Sequence, residues 1–574
     1  MRLTANKNKK LFYVDENKYE DKDIMKDAGF WWHPGPPRCT ERNPDCRACK
    51  MNIPPNKWWT GTLSVAKKLY MYADVATQKF FDNDGFVAAR SSAATVSEAD
   101  KLLVEEPVVP SGTTLFDYQK AGVVSMLTRT NNLLADEMGL GKTPQTVAYI
   151  NTKKFKRILV VCPASLKINW EREIAAWSEP KLSVQIINGR KALYDNASNV
   201  CIVNYDLLTG NNNALKKQLL STRFDLLVLD EAHYIKNAES QRAKAIVGHL
   251  TVSNGMRTWS KGVAHVASHK MYLTGTPIPN RPVEGWVLFN SLDPKTFSAF
   301  VPYIERYCNA FQEEVPTPAG RMLVWNARGA SNLDELNFKL RSTIMTARRK
   351  KDVLASLPPK IRQVLILDGE DAEAAVAAEK KQIEKVLGTT VSYDDNLLSK
   401  LKDSKELSFG DMAKVRARLA KAKIKPVTSI VSDCLDGGLN KIVVFAHHHE
   451  LIDGLYDGLK EYGAMKLTGE TSQTMRQNIV DTFQNEPEAR VFIGNMQAAG
   501  VGLTLTAAST VVMAELDWVP ATVTQAEDRC HRIGQKDVVN VIHTVFDGSL
   551  DSKMVGVLMR KQRVMDSAIG QITK

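Results

Sequence analysis

The sequence predicts an α/β protein with two tandem lobes, each built on a mostly parallel sheet. A helical region lies between the lobes and a small α+β domain at the amino terminus. Three observations carry this. From Leu115 onward, short apolar runs ending in polar or glycine residues alternate with helical segments, the pattern of a sheet covered on both faces. Over residues 291–425 that alternation gives way to charged, alanine-rich stretches, and at Lys441 it resumes. The first 85 residues show neither pattern and carry aromatic pairs with clustered cysteine and proline.

Whole-chain properties bound the answer. A chain of 574 residues suits three or four domains, and 44% hydrophobic content suits several packed cores. The net charge of +12 suits a polyanionic partner such as nucleic acid, although a basic soluble enzyme would look the same. Eight cysteines make no disulfide framework and point to a reducing, intracellular setting. No signal-type apolar core follows Met1, and no run of eighteen apolar residues occurs, so no membrane span is expected.

Taken in order, residues 1–85 form the accessory domain. Lys10–Val14, Phe30–Trp32 and Lys57–Thr60 read as strands, Asp23–Ala28 as a short helix stopped by Gly29, and Leu63–Ala73 as a second helix. Between the aromatic strands lies an insert with six prolines from 34 to 55, too irregular to build an apolar core. Cys46 and Cys49 have the spacing that lets two thiolates grip one ion, and His33 and Cys39 would complete a tetrahedral Zn2+ site. Three free thiols on a loop are the alternative. Trp31, Trp32, Trp58 and Trp59 are either this domain's core or a stacking surface for unpaired bases. Residues 86–112 read as a linker. Residues 113–290 form the first lobe, with strands at 131–134, 157–162, 200–204, 224–229 and 271–274. Residues 291–425 are the helical region, with helices at 371–387 and 412–422. Residues 426–574 form the second lobe, with strands at 441–446, 464–467, 490–493, 510–514 and 538–544.

The chemistry concentrates at the ends of those strands. Ala135–Thr143 joins a buried strand to a helix through two glycines, which is the construction of a phosphate cradle. Gly139 and Gly141 let backbone N–H groups turn inward, Lys142 reaches the β- and γ-phosphates, and the Thr143 hydroxyl ligates Mg2+. The usual pattern wants glycine where Asp136 stands, so only the Gly-Lys-Thr end is strict. Asp230 and Glu231 close an apolar strand. There Asp230 suits a Mg2+ shell and Glu231 suits orienting or deprotonating an attacking water. In the second lobe, Arg529 and Arg532 stand three apart, which predicts a shared helix face aimed across a cleft at the transferring phosphoryl group.

With these motifs on the page, residues 115–545 resemble the Swi/Snf-type branch of the superfamily-two helicase-like ATPases, with the acidic DEAH-type box at Asp230–His233. Leu115–Gln119 resembles that family's adenine-reading motif, and Asp136–Thr143 its phosphate loop, aspartate included. Val161–Leu166 with Asn169-Trp170, then Asn204-Tyr205, resemble its DNA-backbone motifs. Leu273–Asn280 resembles the coupling motif, Arg348–Val353 with Leu357–Lys360 the segment after the first lobe, and Arg529–Gln535 the arginine-finger motif. Val443–His448 and Glu515–Pro520 look most like the annealing-helicase, or HARP-type, members. The resemblance implies RecA-like lobes, ATP with Mg2+, and Gln119 and Gly502 at the nucleotide. It implies nucleic-acid contacts at Ser165, Asn204, Tyr205, Thr468, Gly469 and Trp518. It also implies a DNA-dependent ATPase that translocates on double-stranded or branched DNA, remodelling or rewinding rather than separating strands. A strand-separating DNA or RNA helicase and a non-catalytic nucleic-acid adaptor are the alternatives.

Overall fold

The computed structural model describes four amino-terminal strands and residues 106–556, apart from 211–212, 254–255, 279–280, 318–319, 355, 369–371, 388–408, 500–501 and 518–519. The chain divides into two compact units, Met1–Leu103 and Val104–Lys574.

The first unit contains an antiparallel sheet in the order β1-β2-β4-β3, from β1 (Arg2–Ala5), β2 (Phe12–Asp15), β3 (Trp31–His33) and β4 (Lys57–Thr60). The three expected strands are present, and β1 joins them. The register sets Trp31 opposite Trp59 and Trp32 opposite Trp58. Of the Zn2+ candidates, only His33 falls on a described element, at the end of β3. Cys39, Cys46 and Cys49 lie outside the described residues, as do the expected helices Asp23–Ala28 and Leu63–Ala73.

The second unit contains both large sheets. The first lobe opens with α1 (Asp117–Leu127), then β5 (Asn131–Leu134), α2 (Lys142–Lys153), β6 (Ile158–Cys162) and α3 (Lys167–Trp177). The strands β7 (Val184–Ile186), β8 (Val200–Asn204) and β9 (Phe224–Asp230) follow. A separate hairpin, β10 (His249–Ser253) and β11 (Met256–Ser260), precedes β12 (Ala267–Leu273). The second lobe contains β17 (Ile442–Ala446), β18 (Ala464–Leu467), β19 (Val491–Asn495), β20 (Thr510–Met513) and β21 (Val539–Val545).

The reason for parallel sheets is visible along single strands. In β6 and β9, Leu159, Val161, Leu227 and Leu229 pack into one core, while Ile158, Val160, Leu226 and Val228 pack into another. In β17, Val443 and Phe445 face one core and Ile442, Val444 and Ala446 the other. Successive side chains point to opposite faces, so a strand apolar at every position needs cover on both sides, and crossover helices supply it.

Residues 291–425, expected as a helical region, hold strands as well. The expected helices are there, as Ala372–Leu387 and Phe409–Ala422. The same stretch also holds the hairpin β13 (Phe311–Thr317) and β14 (Gly320–Asn326). It lends β15 (Met345–Thr346) to the first lobe and β16 (Lys360–Ile366) to the second. The sheet orders are β15-β5-β12-β9-β6-β8-β7 and β16-β21-β20-β17-β19-β18, parallel throughout. A two-residue strand carries no readable period, and β16 is mostly exposed, so neither announces itself by apolar alternation.

Candidate functional site

The phosphate-loop candidate leaves β5 and turns into α2. Gly139 (φ 84°) and Gly141 (φ 71°) take left-handed conformations that only glycine adopts without strain. Lys142 donates to the Asp136 carbonyl at 2.9 Å, closing the loop on itself. Asp136 is fully buried and accepts from Arg348 Nε at 2.9 Å, from the same guanidinium's Nη2, and from Gln145 Nε2 at 3.0 Å. Its carboxylate thus anchors the loop where the usual pattern has glycine. The backbone agrees: Leu133, Ala135 and Glu137 donate to the carbonyls of Ile344, Thr346 and Arg348. Gln119 is buried, donates to the Leu140 carbonyl at 3.1 Å and accepts from Phe116 N at 3.0 Å, so its amide braces this loop. Thr143 stands half-buried in the first turn of α2.

The acidic pair sits at the end of β9. Glu231 takes φ 52°, a strained conformation for a bulky residue. Asp230 Oδ1 accepts from Glu231 N at 2.9 Å and Oδ2 from Trp170 Nε1 at 2.8 Å, while its carbonyl accepts from Tyr205 Oη at 2.9 Å. His233 Nδ1 lies 3.2 Å from Glu231 Oε2 and 3.3 Å from Thr274 Oγ1. Burial and the adjacent Glu231 charge raise the Asp230 pKa. Burial acts the same way on Glu231, but His233, Lys142 and Arg529 overcome it and hold that carboxyl below its usual value.

The arginine segment departs from expectation in one respect. Arg529 and Arg532 do not share a helix face, because α4 (Pro520–Glu527) ends before them. The chain tightens there into three-residue turns, with Arg529 N bonded to Ala526 O and Cys530 N to Glu527 O. The two side chains still converge: each reaches the Leu503 carbonyl through Nη1, at 3.4 and 3.2 Å, beside Gly502. They meet the first lobe at its phosphate loop, where a Cβ added to Gly139 would fall 2.5 Å from Arg532 Cβ. Lys142 and Arg529 both feel the charges of Asp230 and Glu231. Burial lowers the pKa of Lys142 and Arg529 and brings Arg532 down to about 10. Three desolvated cations around one loop would be relieved by a polyanion.

Two residues given no separate role from sequence act here, one within the first lobe and one between the lobes. Arg348 holds Asp136, as above. Lys350 N donates to Glu137 Oε2 at 2.7 Å, and Lys350 Nζ lies 3.0 Å from Asp528 Oδ1 and 2.5 Å from the His531 carbonyl. Lys360 completes the cluster on Glu527 and Asp528 at 2.9 and 2.8 Å. Two cations so close to carboxylates on both lobes were visible in sequence only as a basic run.

A second opening between the lobes, after the ends of β6 and β8, is a cleft of about 530 Å³. Ser165, Asn204, Tyr205 and Gly469, from the expected nucleic-acid set, line it together with Arg242 and Arg476. Thr468 adjoins it, buried, with its carbonyl bonded to Arg476 Nη2 at 2.8 Å. Trp518 lies outside the described residues. Arg476 also holds the carbonyls of Thr471 and Ala498, which makes it the frame of the cleft's second-lobe wall. Two of the successive histidines have carboxylate neighbours: His447 Nε2 lies 3.1 Å from Asp517 and His448 Nδ1 2.6 Å from Glu515. Among the described residues no helix is long and apolar enough to cross a membrane.

Known proteins resemble this chain in sequence. The SNF2-related domain profile matches residues 118–407, and the helicase conserved C-terminal domain profile matches residues 423–534. The human DNA annealing helicase and endonuclease ZRANB3 is 34% identical over 465 residues, 79% of this chain and 40% of that protein. The SWI/SNF-related matrix-associated actin-dependent regulator of chromatin subfamily A-like protein 1 of Xenopus tropicalis is 33% identical over 470 residues, 80% of this chain and 45% of that protein. The chain therefore spans less than half the length of these curated relatives. Among solved structures, the Sulfolobus solfataricus SWI2/SNF2 ATPase core in complex with dsDNA aligns over 82% of this chain and 97% of that one, at 22% identity and a TM-score of 0.37.

Proposed function

Because the chain belongs to the SNF2-related family of helicase-like ATPases, with relatives of the annealing-helicase type, we propose that it is a DNA-dependent ATPase that translocates on duplex DNA. On this reading it remodels or rewinds DNA, or moves branches, without net strand separation. The observation that supports it most is that two sites share one lobe junction: Arg532 packs on the Gly139 loop, and a separate cleft is walled by residues of both lobes. Hydrolysis that changes one site must shift the other, because both are made by the same pair of lobes.

ATP would bind between Lys142 and the two arginines, whose lost hydration its phosphates replace. Thr143 and Asp230 suit a Mg2+ ion, one hydroxyl and one half-buried carboxylate near the phosphate loop; when bound it would neutralise charge on the β- and γ-phosphates. Glu231, held ionised, would orient the attacking water. Lys142 must leave the Asp136 carbonyl to reach phosphate, so nucleotide entry opens the closed loop. DNA contact in the cleft would be to phosphates, through Ser165, Asn204 and the Gly469 backbone, and therefore independent of sequence. The relatives' names carry annealing helicase activity for those proteins, and this supports rewinding over unwinding here.

The test is ATP turnover across duplex, single-stranded, forked and RNA ligands, paired with a strand-separation assay. The reading expects stimulation by duplex or forked DNA without net separation. Equal stimulation by RNA duplex, or net unwinding, would replace it with the helicase alternative.

A further inference from the structure

Asp230 is held by two elements that also wall the cleft. The turn at Pro163, Ala164 and Ser165 lines the cleft and runs directly into α3, and from α3 the Trp170 indole donates to Asp230 Oδ2 at 2.8 Å. Asn204 and Tyr205 line the cleft after β8, and the Tyr205 hydroxyl donates to the Asp230 carbonyl at 2.9 Å. The turn also feels the second lobe. Gln473 Nε2 donates to the Ala164 carbonyl at 2.5 Å, and Leu166 packs so close to Gly502 that a Cβ there would fall 1.9 Å from Leu166 Cδ2. Leu503, the next residue, is where Arg529 and Arg532 converge.

We propose that Trp170 is a positioning residue that makes the Asp230 carboxylate follow the occupancy of the cleft. The inference rests on reading that cleft as the DNA site. The physical argument has three steps. A completely buried indole must place its N–H on an acceptor, since an unpaired donor there loses its hydration with nothing in return. The acceptor it has is one oxygen of a carboxylate whose other oxygen is held by Glu231 N, so the orientation of Asp230 is set by these two donors. The indole is rigid and packed on all sides, so it moves with α3 rather than independently, and α3 starts at the cleft rim. DNA phosphate pressing on the Ala164–Leu166 turn, or closure of the second lobe onto it, shifts α3 and carries the N–H with it. The carboxylate then turns between a resting and a working orientation. Tyr205 fixes the backbone beneath, so the carboxylate rather than the strand end is the part free to respond.

The experiment compares wild type with Trp170→Phe, which keeps an aromatic ring but no donor, and with benzothienylalanine at position 170, which keeps the indole shape and loses only the N–H. Two ratios are measured. One is duplex-stimulated over duplex-free ATP turnover. The other is the factor by which a non-hydrolysable ATP analogue changes duplex affinity, an equilibrium measure of the coupling between the two sites. Both should fall by about tenfold in each variant, with duplex affinity in the absence of nucleotide within about twofold of wild type. A bond that merely satisfies a buried donor would lower both turnover rates together and leave both ratios unchanged, and that result overturns the proposal while the DNA-dependent ATPase reading stands. If Trp170→Phe does not fold, the benzothienylalanine protein decides alone. Wild type that shows no stimulation by duplex removes the reading and the proposal together.

Discussion

At the scale of single residues, charge and hydration decide what the site can do. Lys142, Arg529 and Arg532 lose part of their hydration around the loop between β5 and α2, where the carboxylates of Asp136, Glu173, Asp230, Glu231 and Asp528 supply the counter-charge. Glu231→Gln should abolish steady-state ATP hydrolysis while leaving filter-binding affinity for duplex intact, because the amide keeps the shape and loses the charge that orients water. Turnover near wild type would remove Glu231 from that role. Arg529→Ala and Arg532→Ala should each lower kcat by a factor on the order of 10³, with a smaller effect on nucleotide affinity, since they act in the closed arrangement. A loss confined to KM would make them ground-state ligands instead. Arg348 is of another kind: it sits beside Asp136 with both side chains almost fully buried. Arg348→Ala should destabilise the first lobe by about 3–5 kcal/mol in chemical denaturation, because it strands a buried carboxylate.

At the scale of elements, the segment from Ile344 to Lys350 stands out. It runs beside β5 as β15, pins the phosphate loop through Arg348, and reaches the arginine segment through Lys350. Lys350→Met keeps the aliphatic stem and removes the ammonium that joins Glu137 to Asp528. The expected outcome is a lower kcat with DNA affinity retained, because the arginines lose the contact that holds them on the loop. Unchanged kcat would reduce Lys350 to a packing role. In the amino-terminal element, the Zn2+ expectation for His33, Cys39, Cys46 and Cys49 is decided by elemental analysis of natively purified protein, where less than about half an equivalent counts against it.

At the scale of the whole molecule, net charge and buried ion pairs set the response to salt and pH. With a charge of +12, and if the cleft takes DNA phosphates as proposed, duplex stimulation of ATP turnover should fall steeply, and linearly on logarithmic axes, as salt rises. A flat response would mean that contacts other than phosphate carry the affinity. Burial opposes ionisation of Glu335, Glu515 and Asp528, yet their partners win and hold each near 2: Arg306 and Lys339, His448, and Lys350 with Lys360. Carboxyls depressed in the folded state contribute stability that is complete above their unfolded values. That stability disappears as pH falls from about 4.5 towards about 2. Circular dichroism should therefore show unfolding concentrated in that window, and Glu515→Gln should shrink the pH dependence.

The sequence by itself determined the central strands of both lobes, because a central parallel strand buries every position and so leaves an apolar run of the right length: Ile158–Cys162, Phe224–Asp230 and Ile442–Ala446 lie where those runs lie. It also singled out Lys142, Asp230, Glu231, Arg529 and Arg532, since glycine spacing and paired charge at strand ends are local signals. Only the tertiary structure decided that Asp136 anchors the loop through Arg348, 212 residues away in sequence, that β15 and β16 complete the two sheets, and that the arginines lie on turns past the end of α4. The physical reason is common to all three. Ion pairing, edge-strand addition and helix termination here are set by what another part of the chain brings alongside, and a local pattern has no record of that.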